Sequence, residues 1–347
     1  MPPSRRQRPT PVHGAAFIVA LVLVMIACRP ASTGGREQAN VPGYRTVRDV
    51  RLPGATSRWD YQVYDPGSRR LYISHLGASQ IVVFDTAEQK VVGIVGDIPE
   101  VHGLALARDL GRLFASATGQ NRLVAIDLNT LKVAGSAPTG SYPDGVAYAP
   151  EAGAVFVSNE HGSGDTVVDA RTTTRLGDVE LGGDIGNSQY DPVRSLVYVT
   201  VGSTNELIVL HPADRAIVGR YHLDGCEGAH GLQVDLATHR RLFVACEGNA
   251  SLVAFDLMTQ RTTQTFEVGD SPDVLAEDAA NQRLYVAAES GQLAVFDTGG
   301  DSLKKLGQGN AGPAAHSVAV DPMSHLVYLP LTDVGGHPVL RELEPRP

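Results

Sequence analysis

Three histidines and three aspartates return at one place in a repeating pattern, and together they could hold a metal, bind a charged ligand or move a proton. About a dozen positions ahead of each of seven aromatic markers stand Asp60, His102, Asp144, Gly186, His230, Asp273 and His316. Neutral imidazole is a nitrogen ligand and a proton carrier near pH 7, while carboxylates supply oxygen ligands or a general base. A second tier of acids, Glu160, Glu247 and Glu289, comes four residues after three of the markers. Each residue alone has an ordinary explanation, since Asp-Gly or His-Gly at a strand start is common turn chemistry. Convergence of the whole series on one point is what would make it a site. The chain has no C-x-x-C-H haem attachment, no G-x-S-x-G elbow, no P-loop and no dinucleotide fingerprint. With no activated nucleophile in view, any catalysis here would be metal-assisted or acid–base.

What must position these residues is a repeat. The markers sit in apolar triplets: Leu71-Tyr72-Ile73, Leu113-Phe114-Ala115, Val155-Phe156-Val157, Val197-Tyr198-Val199, Leu242-Phe243-Val244, Leu284-Tyr285-Val286 and Val327-Tyr328-Leu329. Their aromatics are 42, 42, 42, 45, 42 and 43 positions apart. A second marker keeps the same period, Asp85, Asp127, Asp169, Asp256 and Asp297, with His211 where Asp is expected. Each of these closes an apolar run ahead of a polar turn, which gives it a turn-capping role. Every repeat divides into four short apolar runs separated by turn residues, and no helical period is sustained. Four strands in roughly 42 residues make a propeller blade. The seventh repeat starts at His316 and ends near Glu344, one strand short. The strand-like segment Thr46–Leu52 ahead of the first repeat would supply it. The expected fold is therefore all-β, a seven-bladed propeller of four-stranded antiparallel blades over residues 44–347, its last blade closed by the N-terminal strand.

These triplets resemble the YVTN-repeat, or YncE-like, propellers. Tyr198-Val199-Thr200, Phe156-Val157-Ser158-Asn159 and Tyr72-Ile73-Ser74 approach the eponymous strand. Pro143-Asp144-Gly145-Val146-Ala147 resembles the inner-strand motif, and Val82-Val83-Phe84-Asp85-Thr86 the third strand. The likeness spans about residues 44–345 and departs at His211 and at Gly186-Asn187-Ser188. It implies an exported propeller without naming an activity, because relatives of such propellers range from sugar-lactone hydrolases to binding proteins. The lone Trp59-Asp60 pair lies at an inner-strand start and is no WD40 signature.

The amino terminus reads as a targeting segment. Arg5, Arg6 and Arg8 precede the apolar run Gly14–Ala27, too short for a bilayer span of about 20 residues. Met25-Ile26-Ala27-Cys28 resembles a bacterial lipobox, so residues 1–27 are expected to be a lipoprotein signal peptide with Cys28 lipidated. Residues 28–43 then form a Pro/Gly-rich flexible tether. The protein is expected to be exported and membrane-anchored, periplasmic or at the cell surface. Arg29, rather than Asp, after the Cys favours the outer membrane of a Gram-negative envelope.

Formal charge is −9 with four lysines, a balance that argues against a nucleic-acid partner. Cys226 and Cys246 map to the ligand face of one blade. In an exported protein they are expected to form a disulfide, with buried thiols or a metal site with His230 as the alternatives. The resulting expectation is a monomer binding a small molecule or an envelope protein at its axial mouth. The alternative is a metal-assisted hydrolase or lyase using the His/Asp/Glu ring. A divalent metal is the candidate cofactor, with His102, His316 and Asp60 as its inner-sphere set.

Overall fold

The computed structural model describes residues 38–346 of the chain. The segments expected to be a signal peptide and, up to residue 37, a tether, with Cys28 between them, lie outside the described residues. The described residues form seven four-stranded antiparallel sheets, six of them built from consecutive strands. In the second blade these are Val101–Ala107, Arg112–Ala117, Arg122–Asp127 and Lys132–Pro138, running from the axis outward.

The alternation of each strand explains the layering. Second and third strands are buried on both sides, as in Arg112–Ala117, whereas an outermost strand such as Arg261–Glu267 alternates between packed and solvent-facing residues. The seven aromatic markers are all buried, and they fill the space between adjacent blades. Tyr198 of the fourth blade, for example, packs with Leu232, Val244 and Phe255 of the fifth. No blade has a core of its own, so every blade depends on its neighbours.

The serial aspartates do cap turns. Asp85 Oδ1 accepts the amides of Ala87 and Glu88 at 2.9 and 2.8 Å, and Asp127, Asp169 and Asp256 repeat the pattern. Asp297 accepts from Gly299. Where His211 replaces the acid, Asp214 takes over and accepts from Ala216 while bonding His211 Nδ1 at 2.9 Å. A second buried series, Asp65, Asp191, Asp235, Asp278 and Asp321, caps the turn after the inner strand. The second and third repeats carry Ala107 and Ala149 there, which hides its period in the sequence.

Closure comes from the N-terminal strand Tyr44–Arg51, antiparallel to Val339–Pro345 at the rim of the last blade. Arg341, 1% exposed, sets the register: its Nε and Nη2 each donate to the Asp49 carboxylate at 2.8 Å, and Nη1 donates to the Ala311 carbonyl. Packing begins earlier than the tether boundary at residue 43 anticipated. Asn40 N donates to Asn310 O at 2.7 Å and Val41 is buried against the sixth and seventh blades, because an apolar Val flanked by extended backbone completes that core. The stretch from Ala39 to Gly43 therefore belongs to the propeller body.

Removing one member of a buried ion pair strands the other, at a cost of about 3–5 kcal/mol. Asp49→Ala should therefore lower the urea midpoint by an amount equivalent to about 3 kcal/mol. An unchanged midpoint would mean that the Arg341 pair does not hold the ring shut.

Candidate functional site at the axial mouth

The mouth residues enter the channel through a shared backbone device. Two positions ahead of His102, Asp144, His230, Asp273 and His316 stand Glu100, Tyr142, Gly228, Ser271 and Ala314, all with φ between 49° and 65°. Only one of the five is a glycine, so four side chains accept a left-handed conformation that costs of order 1 kcal/mol each. After the turn, backbones come unusually close. A Cβ on Gly231 would lie 1.7 Å from the Asp273 carbonyl, and one on Gly103 2.2 Å from that of Asp144. The His-Gly pairs are thus required by strand-to-strand approach, and that approach narrows the channel.

Hydroxyls of the preceding blade fix three of the mouth residues from behind. Ser74 Oγ donates to His102 O at 2.6 Å, Ser116 Oγ to Asp144 O at 2.7 Å and Thr200 Oγ1 to His230 O at 2.5 Å. These are the hydroxyl positions of the marker strands. Trp59 anchors the first blade's loop: it is fully buried and stacks on His75, centroids 3.7 Å apart. Burial lowers His75 to about 4, so the stack is with a neutral ring.

The series expected at the mouth does converge there. His230 Nε2 lies 3.5 Å from Asp144 Oδ2, 3.5 Å from Asp273 Oδ1 and 3.9 Å from Glu247 Oε1. His316 Nε2 is 4.0 Å from Asp273 Oδ2, and its Nδ1 is 3.8 Å from Glu289 Oε2. His102 Nε2 is 3.8 Å from Asp60 Oδ2, while its Nδ1 lies 2.8 Å from Glu100 O and from Thr118 Oγ1. Glu160 lines the same cavity of about 590 Å³ and acts on His230 through its charge.

The inner-sphere set anticipated from the sequence is corrected by this geometry. Ligand atoms that lie close enough to share an ion belong to Asp60, Asp273 and His316, and separately to His230, Glu247 and Asp273. His102 is in neither trio; Glu100 O and Thr118 Oγ1 hold its Nδ1, and its Nε2 approaches Asp60 Oδ2 at 3.8 Å. Asp273 takes its place because it stands between His230 and His316.

Three contributors were not anticipated. Arg58 Nη1 bonds Glu289 at 2.6 Å, and its Nε is 3.5 Å from Asp60. Tyr61 of the first blade crosses the axis, donating to Asp273 Oδ1 at 3.3 Å and accepting from Asn187 Nδ2 of the fourth blade. This bridge floors the mouth and separates it from a second cavity of about 660 Å³ with largely apolar walls, among them Leu104, Val146 and Leu232. The sequence clue was the irregular Gly186-Asn187 start, where the residue after the expected mouth position carries the polar group.

Electrostatics at the mouth run toward a deficit of positive charge. Burial opposes protonation of His230, yet Glu247, Asp273 and Asp144 outweigh it and lift the imidazole to about 9. His102 is raised likewise, by Asp60 and Asp144 against burial. Burial pushes the carboxyls of Asp144, Asp273 and Glu247 above their ordinary range, with the histidines pulling back. Asp60 Oδ2, Asp144 Oδ1 and both ring nitrogens of His316 are buried without a hydrogen-bond partner. Cys226 and Cys246 form a disulfide beside this face, with Cα atoms 5.3 Å apart, so neither thiol serves as a metal ligand of His230.

In comparisons with known proteins, no family model matches this chain. No curated protein matches its sequence. Solved structures do match in fold. The chain is similar to hydrazine synthase of Kuenenia stuttgartiensis, at 13% identity and TM-score 0.70, over 87% of this chain and 98% of that one. It is also similar to the WD40 repeats of RRP9, at 9% identity and TM-score 0.71, over 88% and 100%. U3-55K matches at 9% identity and TM-score 0.70, over 88% and 98%. The seven-bladed β-propeller, a frequent scaffold for ligand and protein binding, is therefore the shared feature; a shared fold names no activity.

Behind the fourth blade's start lies a buried acid that the other blades replace by Ile or Leu. Asp165 Oδ2 accepts from Ser188 Oγ at 2.7 Å and Oδ1 has no partner. Burial lifts its carboxyl to about 7. Between the unfolded value near 4 and 7 the folded state binds the extra proton, so stability falls as pH rises through that window and the loss is complete above it. Asp165→Asn should flatten this part of the slope and gain melting temperature relative to wild type at pH 8 but not at pH 4. Parallel curves for the two proteins would refute the assignment.

Proposed function

We propose that this protein is an exported, lipid-anchored propeller of the YVTN-repeat kind that binds a small, positively charged ligand at its axial mouth. The observation that carries the reading is the charge balance around one cavity. Among the described residues seven carboxyl groups line it, from Asp60, Glu100, Asp144, Glu160, Glu247, Asp273 and Glu289, against one guanidinium, that of Arg58. Protons drawn onto His102 and His230 are what such a cavity collects when no other cation is at hand. Buried carboxylates hold a cation more tightly than exposed ones, because water competes less for either partner.

A second reading, a metal-assisted hydrolase or lyase, has one observation in its favour. His230 stands between Asp144 and Asp273 at 3.5 Å from each, an arrangement suited to moving a proton. Turnover of a lactone or ester by purified protein would select this reading over simple binding.

The binding reading is tested by titrating full-length protein in detergent with spermidine, choline and Mn²⁺, following melting temperature and heat of binding. At least one cation should raise the melting temperature, and Asp60→Asn with Asp273→Asn should weaken it tenfold or more. Citrate, of similar size and opposite charge, should do nothing. A mouth indifferent to every cation, or equally receptive after the double substitution, would overturn the proposal.

Anchoring has its own check. Cells fed an alkyne palmitate should label the wild-type protein, and Cys28→Ser should abolish the label and release the chain from membranes. An unlabelled wild type would remove the lipid anchor from this picture.

A further inference from the structure

The two trios at the mouth are not independent, because one carboxylate belongs to both. Asp273 Oδ1 faces His230 Nε2 at 3.5 Å, and Oδ2 faces His316 Nε2 at 4.0 Å. Its two oxygens therefore point to two different sets of ligands, His230 with Glu247 on one side and His316 with Asp60 on the other. We propose that Asp273 bridges two divalent first-row cations, one held by His230 and Glu247 and the other by His316 and Asp60. This rests on the cation-binding reading of the mouth and adds to it the class of ligand and the number of ions.

Three features support the pair. Ligand atoms within each trio all lie within 4.8 Å of one another. A tetrahedral ion with bonds of about 2.1 Å spaces its ligands about 3.4 Å apart, so side-chain adjustments of about an ångström would close each set. Two buried groups with atoms that lack hydrogen-bond partners, His316 and Asp60, would each give the second ion one ligand atom. His316 is 1% exposed and neither ring nitrogen has a hydrogen-bond partner; Asp60, also 1% exposed, leaves Oδ2 without one. Buried polar groups are otherwise nearly always satisfied. Finally, the surroundings orient the bridge. Tyr61 donates to Asp273 Oδ1 and is itself held by Asn187, the outer-shell support that fixes a ligating carboxylate.

Ligand chemistry sets the class of ion. One imidazole and two carboxylates per ion suit borderline divalent metals such as Zn²⁺ and Mn²⁺. Three protein ligands leave each ion with open positions toward the cavity, where an oxygen of a bound molecule could bridge the pair.

The experiment uses full-length protein in detergent, stripped with chelator, reloaded with Mn²⁺ and freed of excess metal by gel filtration. Bound manganese is counted per chain, and electron paramagnetic resonance reports whether the ions are coupled. We expect two Mn²⁺ per chain with an exchange-coupled spectrum. His230→Gln and His316→Gln should each leave one ion and an uncoupled six-line spectrum. Asp273→Asn should abolish coupling and weaken both ions tenfold or more; should that variant not fold, the two histidine variants decide. One ion per chain in the wild type, or two that are uncoupled, would overturn the pair while leaving the mouth a cation site. No bound manganese would overturn the pair as well, and the spermidine and choline titrations would still judge the mouth independently.

Discussion

The narrowness of the axis is the constraint on which the rest of the molecule depends. Adjacent inner strands approach so closely at the mouth that Gly231 has no room for a methyl group beside the Asp273 carbonyl. That approach is what lets Asp144 of the third blade reach His230 of the fifth, and Tyr61 of the first reach Asn187 of the fourth. In a wider ring the same side chains would be solvated separately and would keep ordinary acid–base behaviour. Here they share one desolvated space, so each carboxylate raises the histidines beside it and each histidine restrains the carboxylates.

Closing the ring and building the site are consequently one problem. Blades share their cores pairwise, and the last blade's inner strand is only Ala319–Val320. His316, just ahead of it, is held in place by its neighbours more than by its own sheet. Its blade is completed by Tyr44–Arg51, which is fastened by the buried Asp49–Arg341 pair. A ligand of the mouth is thus coupled to a clasp at the rim through a single blade, and loosening the clasp should loosen His316 before it disturbs His230.

The blades were legible in the sequence because two markers with one period carry them, the buried aromatic and the capping aspartate. Each acts locally, filling an inter-blade gap or closing a turn, so sequence spacing alone identifies it. Membership of the mouth was legible for the same reason, since equivalent positions in a ring must face one axis. Which members touch was not. Symmetry gives the angle of each residue about the axis and says nothing of the radius, and radius decides whether His316 pairs with His102 or with Asp273. Arg58, Tyr61 and Asn187 escaped for a related reason: each occurs once, beside a repeat position, and acts across the axis on blades far away in sequence.

Those single occurrences locate the chemistry better than the repeat does. Trp59 occurs once and pins the loop that carries Arg58 and Asp60. Asn187 stands where the repeat's inner-strand start breaks down, and it holds Tyr61. Asp165 sits where other blades place Ile or Leu, beneath the same broken start. A structure stabilised only by blade packing has no use for these departures, since each introduces a polar group that must be desolvated. They lie in the first, third and fourth blades, and Asn187 of the fourth meets Tyr61 of the first in the bridge to Asp273. The Asn187 departure therefore serves the floor of the mouth, and the floor sets where the Asp273 carboxylate points.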